Sequence, residues 1–142
     1  MRTVGDLLEH KGRGVHAVAP DTMVFEAVRE MADHAIGALL VMDGEKLVGI
    51  LSERDYARKC VLKNRSSRDT TVAEIMTGEV VCSTPAQTVE ECMALMTDKR
   101  IRHLPVIESG RVVGLVSIGD LVKAIISEQK FIIEQLEHYI AS

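Results

Sequence analysis

The feature that most constrains this chain is an internal repeat. Shifting the sequence by 65 positions lays residues 20–61 on residues 85–126 without a gap. Twelve of these 42 pairs are identical, and between them apolar residues repeatedly face apolar residues. The identical pairs are Pro20/Pro85, Val24/Val89, Glu26/Glu91, Met31/Met96, Asp33/Asp98, Ile36/Ile101, Leu39/Leu104, Val41/Val106, Val48/Val113, Gly49/Gly114, Ser52/Ser117 and Asp55/Asp120. The chain therefore consists of two copies of one structural unit.

The segments that lead into the two copies also match. Residues 3–8 read TVGDLL and residues 71–76 read TVAEIM, at an offset of 68. Because the two offsets differ by three, the first copy carries three extra residues around positions 11–14. Each lead-in predicts a short helical turn in front of its repeat.

Each copy predicts the same order of elements. A short apolar strand (Val15–Ala19 or Val80–Ser83) is followed by an amphipathic helix, two strands around a polar turn, and a second helix. A unit of roughly 55 residues is too small for a robust core of its own. We therefore expect an α/β fold in which two β-α-β-β-α repeats, related by a pseudo-twofold axis, pack through their sheets.

The pattern predicts repeat 1 at residues 1–62, a polar linker at 63–70, repeat 2 at 71–126 and a helical extension at 127–142. The last helix is predicted over Ile118–Ile140, where Ile126, Ile133 and Ile140 recur every seven residues. Such an apolar stripe needs a partner surface. It either folds back on its own domain or meets a second chain, and we favour a homodimer.

Composition excludes several classes of protein. The net charge is −4, aromatic residues make up 3% and there is no Trp, which disfavours a nucleic-acid-binding domain. No apolar run approaches the ~20 residues of a membrane helix. The chain shows no signal-peptide pattern, and its three cysteines form no CxxC pair. We expect a cytoplasmic protein with neither a membrane nor a nucleic-acid partner, and without a metal.

The motif that points to function lies at the predicted junction of strand and second helix. It reads GILSERD at 49–55 and GLVSIGD at 114–120. Ser-x-x-Asp before a helix is typical of a capping box, which is a structural role. The same groups also suit a nucleotide, since free amides at a helix start attract phosphate and a carboxylate accepts hydrogen bonds from ribose hydroxyls. Both interpretations stand at this point.

Two such units, each closing on this motif, resemble tandem cystathionine-β-synthase (CBS) domains, the pair called a Bateman module. HLPV at 103–106 and SERDYARK at 52–59 strengthen the likeness, the latter to small stand-alone bacterial CBS-pair proteins. The resemblance implies adenosine ligands in the clefts between the copies. It assigns ribose to Asp55 and Asp120, phosphate to Ser52 and Ser117, and adenine largely to backbone groups. The full set of expected nucleotide-binding residues is Val18, Gly37, Ala38, Leu39, Ser52, Arg54, Asp55, Thr84, Arg102, His103, Leu104, Pro105, Ser117 and Asp120.

Charge suggests that the two sites differ. Residues 54–68 hold six basic side chains and one acid, which favours an anionic ligand. Arg54 is expected to contact phosphate in one site, and Arg102 with His103 to supply the charge in the other, while Lys59 and its basic neighbours are taken as a solvated face. Arg65–Ser67 is interpreted either as an anion-binding turn or as flexible linker. AMP is the preferred ligand, and NAD, ADP and ATP are compatible.

No motif predicts catalysis. The histidines have no metal-ligand spacing, and neither a P-loop nor a nucleophile elbow occurs. We therefore expect a regulatory energy or redox sensor that acts through a homodimer on a target the sequence does not identify. The alternatives are a dimerisation scaffold without ligand and, less favoured, an enzyme acting on nucleotides.

Overall fold

The computed structural model describes residues 2–141, which fall into two compact units. Gly14–Val81 with Ser109–Val112 form the repeat-1 unit. The segment up to Arg13, Cys82–Glu108 and the chain from Val113 onward form the repeat-2 unit. Helix α1 (Val4–Lys11) therefore belongs with repeat 2, whereas the short helix α4 (Val72–Ile75) belongs with repeat 1. Each lead-in segment completes the unit of the other repeat.

The repeat-1 unit contains a three-stranded sheet and the helices that cover it. Its elements are β1 (Ala17–Val18), α2 (Val24–Asp33), β2 (Ala38–Asp43), β3 (Lys46–Ser52) and α3 (Glu53–Tyr56), which continues as a π-helical segment over Ala57–Val61. The strand order is β1-β2-β3, with β1 parallel and β3 antiparallel to β2. The predicted order of elements is confirmed here.

Helix α2 forms because its apolar residues recur at helical spacing. Val24, Ala27 and Met31 lie on one face and are buried, as an amphipathic helix on a sheet requires. They belong to one core cluster with Leu39 and Val41 of β2. This packing fixes the position of the sheet, and Ser52 is the last residue of its strand β3.

The repeat-2 unit contains α5 (Val89–Lys99), β4 (His103–Glu108), β5 (Arg111–Ser117) and α6 (Ile118–Ala141) besides α1. The strand predicted at Val80–Ser83 is wrong, since this segment makes only an isolated parallel bridge between Ser83 and Val106. In repeat 1 the Leu40 amide donates to the His16 carbonyl beside β1. Pro105 occupies the position of Leu40 in repeat 2, and proline has no amide hydrogen to donate.

The segment between the repeats is held by specific contacts. Arg65 pairs with Glu74, and the Arg68 guanidinium lies 3.9 Å from the centre of the Phe25 ring. The Phe25 amide donates to the Ser67 carbonyl at 2.9 Å. Arg65 is thus paired with a carboxylate and the Ser67 carbonyl accepts a hydrogen bond from the start of α2, while the anion-binding and linker interpretations of Arg65–Ser67 stay predictions.

The two second helices differ in length and in regularity. The first comprises four α-helical residues followed by the π-helical segment, whereas α6 runs for 24 residues. The predicted helix over Ile118–Ile140 is confirmed. From Phe131 to Ala141 every residue of α6 is exposed, so the alternative that this helix folds back on its own domain is wrong.

Candidate functional site

Each Ser-x-x-Asp motif forms a capping box at the junction of a strand and a helix. The Ser52 amide donates to Asp55 Oδ2 at 3.0 Å, and the Asp55 amide donates to Ser52 Oγ at 3.1 Å. In repeat 2 the Ser117 amide donates to Asp120 Oδ2 at 2.8 Å, and the Asp120 amide donates to Ser117 Oγ at 3.1 Å. The capping interpretation is confirmed for both copies, and it fixes the orientation of both carboxylates.

Each motif opens with a glycine, because a side chain of a lead-in segment lies too close to leave room for a Cβ atom. A Cβ on Gly49 would lie 2.5 Å from Met76 Sδ, and a Cβ on Gly114 would lie 2.7 Å from Leu8 Cδ2. Leu8 and Met76 occupy the same position in the two lead-ins. One side chain from the segment before the other repeat therefore packs directly on the strand that delivers the serine and the aspartate.

The Asp55 carboxylate is nearly enclosed. Its residue is 7% exposed, and Oδ1 accepts from Thr77 Oγ1 at 3.1 Å and from Lys59 Nζ at 3.0 Å, while Oδ2 is bound by Ser52. Thr77 follows the lead-in helix α4, and Lys59 lies one turn along the helix from Asp55. Burying a carboxylate is tolerated only with such partners. This acid is thus firmly part of the fold.

The Asp120 carboxylate is more open and is paired with a lysine from α1. Lys11 Nζ lies 2.5 Å from Asp120 Oδ2 and 2.6 Å from the Leu115 carbonyl oxygen. Burial by itself would raise the pKa of Asp120, but the hydrogen bonds from Lys11 and from the Ser117 amide together outweigh it and lower that pKa. The side chains of Lys11 and Asp120 are 34% and 20% exposed. Asp120 is therefore ionised at neutral pH and within reach of a ligand.

His103 lies at the start of β4, close to this pair. Burial lowers the pKa of its imidazole, the positive charge of Lys11 lowers it further, and the Asp120 carboxylate only partly opposes them. The lowered pKa favours the neutral ring at pH 7, and the expectation that His103 helps to bind a phosphate stays a prediction. The cation beside Asp120 is Lys11.

The amides at the two helix starts are used within the protein. The Glu53 amide donates to the Gly37 carbonyl at 3.1 Å, and the Ile118 amide donates to the Arg102 carbonyl at 2.8 Å. The expectation of free amides for phosphate is therefore wrong at these two positions. These bonds nevertheless bring Gly37 to the Ser52 motif, and Arg102 to the Ser117 motif.

The predicted binding residues divide by unit and by exposure. Seven lie in each unit, together with one Ser-x-x-Asp motif. Arg54, Thr84 and Arg102 are exposed, whereas Leu39 and Leu104 are fully buried at 0% exposure. The remaining backbone positions are buried or half-buried; they are Val18, Gly37, Ala38, His103 and Pro105. The buried members support each site from within the core.

Three residues that contact the motif aspartates were not predicted. Thr77 and Lys11 come from the lead-in segments, whereas the sequence predicts Lys59 on a solvated helix face. The three-residue insertion around positions 11–14 was the available signal for Lys11, because it lengthens the first lead-in beyond the second. Thr77 left no comparable signal in the sequence.

Comparison with known proteins places this geometry in a family. The family model of the CBS domain matches residues 4–61 and again residues 72–127. The chain belongs to the CBS-domain family. The crystal structure of the CBS domain protein NE2398 is 54% identical, with a TM-score of 0.85, and the match covers 88% of this chain and 98% of that one. The resemblance inferred from sequence is thus confirmed.

Two further relatives of this CBS pair bear on its function. The mitochondrial CBS domain-containing protein CBSX3 of Arabidopsis thaliana is 40% identical over 147 residues, covering 97% of this chain and 71% of that protein. The CBS pair of protein MJ0100, solved in complex with 5′-methylthioadenosine and S-adenosyl-L-methionine, is 27% identical with a TM-score of 0.80, covering 90% and 98%. At least one similar pair therefore binds adenosine compounds.

Membrane and metal sites were also sought among residues 2–141. None of their helices combines the length and the apolarity needed to cross a bilayer. Nor do three or more of their His, Cys, Asp and Glu side chains cluster as metal ligands would.

Proposed function

We propose that this CBS pair is a regulatory module that binds adenosine nucleotides, with AMP preferred and NAD, ADP or ATP compatible. Asp55 and Asp120 hold the ribose of the two ligands, and Ser52 with Arg54, or Ser117 with Arg102, lies beside the phosphates. The backbone around Gly37 and His103 receives adenine. The module acts without catalysis, in a reducing compartment such as the cytoplasm.

The observation that carries the proposal is the pair of preset carboxylates. In both units the capping box holds an aspartate in a fixed orientation, and at Asp120 the acid is ionised and partly open. Ser117 and Lys11 both bind Oδ2, so the ribose hydroxyls are assigned to Oδ1. The adenosine compounds bound by the MJ0100 pair support the same ligand class.

Thermal shift and calorimetry with adenosine, AMP, ADP, ATP and NAD test the proposal. A ligand at 100 times its Kd adds about 2.7 kcal/mol of stability, which is readily seen as a higher Tm. Asp120→Asn is the informative variant because it keeps the size of the side chain, and Glu53→Gln, an exposed acid within the other motif, is its control. We expect Asp120→Asn to weaken binding in one of two sites and Glu53→Gln to leave both intact. Binding that is unchanged in Asp120→Asn combined with Asp55→Asn would overturn the proposal.

One observation favours the alternative of a scaffold without ligand. The motif groups already satisfy each other as helix caps, and helix α6 carries an exposed apolar face beyond residue 127, where the family match ends. A scaffold would show no Tm increase with any adenosine compound, yet would still self-associate. The thermal-shift series therefore separates the two functions.

We assign the α6 face to a second copy of this chain. Ile126, Ile133 and Ile140 are 57%, 54% and 80% exposed, and Leu136 is 55% exposed beside them. Isoleucine at every seventh position with leucine between is typical of a two-helix seam. Light scattering on the full chain should give a dimer that Ile133→Glu converts to monomer, while Glu134→Gln on the same turn does not. A monomeric wild type would exclude this interface.

A further inference from the structure

An open cleft of about 450 Å³ lies in the repeat-2 unit, between the N-terminal segment and α6. Arg2, His10 and Lys11 line one side, while Asp120 and Lys123 line the other. This volume is in the range of pockets that accept small ligands. We call it the α1–α6 pocket.

The charge of the α1–α6 pocket is opposite to that of the whole protein. Arg2, Lys11 and Lys123 are cations at neutral pH, and Asp120 is the one carboxylate among its lining residues, whereas the chain carries a net charge of −4. Cations gathered around a cavity repel one another, so an anion placed there relieves the repulsion. The chemistry of the lining therefore selects anions, and phosphate above all, since lysine and arginine are its usual partners.

Lys11 connects this pocket to the motif aspartate. Its ammonium group has three hydrogens, of which two are directed to Asp120 Oδ2 and to the Leu115 carbonyl oxygen. A third donor is left for an oxygen atom of a ligand in the pocket. Lys11 can thus hold an anion without releasing Asp120.

The repeat-1 unit has a neutral group at the corresponding place. There the lead-in supplies the Thr77 hydroxyl to Asp55, and the cation beside that aspartate, Lys59, comes from the same helix. A lysine thus pairs with the aspartate in both units, and in the repeat-2 unit that lysine comes from the lead-in and also lines the α1–α6 pocket.

We propose that the α1–α6 pocket is a second phosphate subsite, besides the one at Ser117 and Arg102, and that Lys11 makes the Asp120 site prefer adenosine ligands that carry phosphates over uncharged or cationic adenosine compounds. The adenosine half of this inference rests on the proposed function. The claim that the pocket binds an anion rests on the pocket alone, so the adenosine claim and the anion claim can fail separately.

The test compares adenosine, ADP and pyrophosphate by calorimetry on the full chain. Lys11→Met and Lys123→Met each remove one pocket cation, and Lys46→Met removes an exposed cation at the start of β3 as the matched control. We expect Lys11→Met to weaken ADP and pyrophosphate about tenfold, as the loss of one charge-assisted hydrogen bond implies, and to leave adenosine within about twofold. Lys46→Met should change none of the three. Circular dichroism verifies that each variant is folded.

The outcomes are distinguishable. If Lys11→Met weakens adenosine and ADP equally, or if neither ADP nor pyrophosphate responds to Lys11 or Lys123, the phosphate subsite is overturned. If pyrophosphate binds in a Lys11-dependent way while no adenosine compound binds, the anion pocket stands and the proposed nucleotide function fails. Preference for ADP that depends on Lys11 supports both.

Discussion

The two Ser-x-x-Asp motifs share a sequence pattern and a capping geometry, yet their aspartates lie in different surroundings. The Asp55 side chain is 10% exposed and accepts from partners on both carboxylate oxygens. Asp120 has a side chain that is 20% exposed, and its cation comes from α1, distant in sequence. Duplication thus preserved the backbone of the motif while the lead-in segments changed the electrostatics. The comparison indicates that Asp55 contributes more to the stability of the fold, whereas Asp120 is the more open to a ligand.

The largest expected difference is in stability. Asp55→Ala removes the acceptor of four donors: the amide and hydroxyl of Ser52, the Thr77 hydroxyl and the Lys59 ammonium group. We therefore expect the free energy of unfolding to fall by about 3 kcal/mol. Asp120→Ala removes a cap and a partly exposed ion pair, and should cost about 1 kcal/mol. Urea denaturation of the two variants measures this, with Glu53→Ala as a control expected within about 0.5 kcal/mol. Equal losses would remove the distinction between the two aspartates.

The next prediction tests the packing of each lead-in segment on the strand of the other repeat. Gly114→Ala places a methyl group against the buried Leu8 side chain, and overpacking of this kind costs about 2 kcal/mol. Gly49→Ala meets the thioether of Met76, a flexible side chain that can rearrange, so its cost should be smaller. Gly14→Ala, where no atom lies within 4 Å of the added Cβ, is the control. A Gly114→Ala variant as stable as Gly14→Ala would contradict the observed packing.

A smaller effect concerns acid stability. Because the folded-state pKa of Asp120 is lowered, its ion pair stabilises the protein fully above the ordinary pKa of 3.8 and is lost as the pH falls through the lower folded value. Lys11→Met removes the main stabilising partner, so its stability should decrease less than that of the wild type between pH 5 and the acid transition. Urea midpoints across this pH range provide the measurement. Parallel pH profiles for both proteins would argue against the Lys11–Asp120 pair.

The sequence was sufficient for the repeat, the order of elements, both capping boxes and the long last helix, because each rests on local patterns. It was insufficient where distant segments meet. Lys11 and Thr77 reach the motif aspartates only because each lead-in packs on the other repeat, and no periodicity encodes that exchange. The missing strand before Pro85 follows from Pro105, which has no amide hydrogen to donate to the segment beside it. The neutral state of His103 depends on burial, which spacing alone does not reveal.

The finest difference is the protonation of His103. Its folded pKa should lie below the ordinary value of 6.5 because the ring is buried and faces Lys11 and Arg102, with only Asp120 opposing them. The unfolded chain then binds the proton more readily, so His103 lowers stability as the pH falls below 6.5. An NMR titration of the imidazole resonances measures the pKa directly. Lys11→Met should raise it and Asp120→Asn should lower it further, and a shift of either variant in the opposite direction would show that the imidazole does not respond to the Lys11–Asp120 pair.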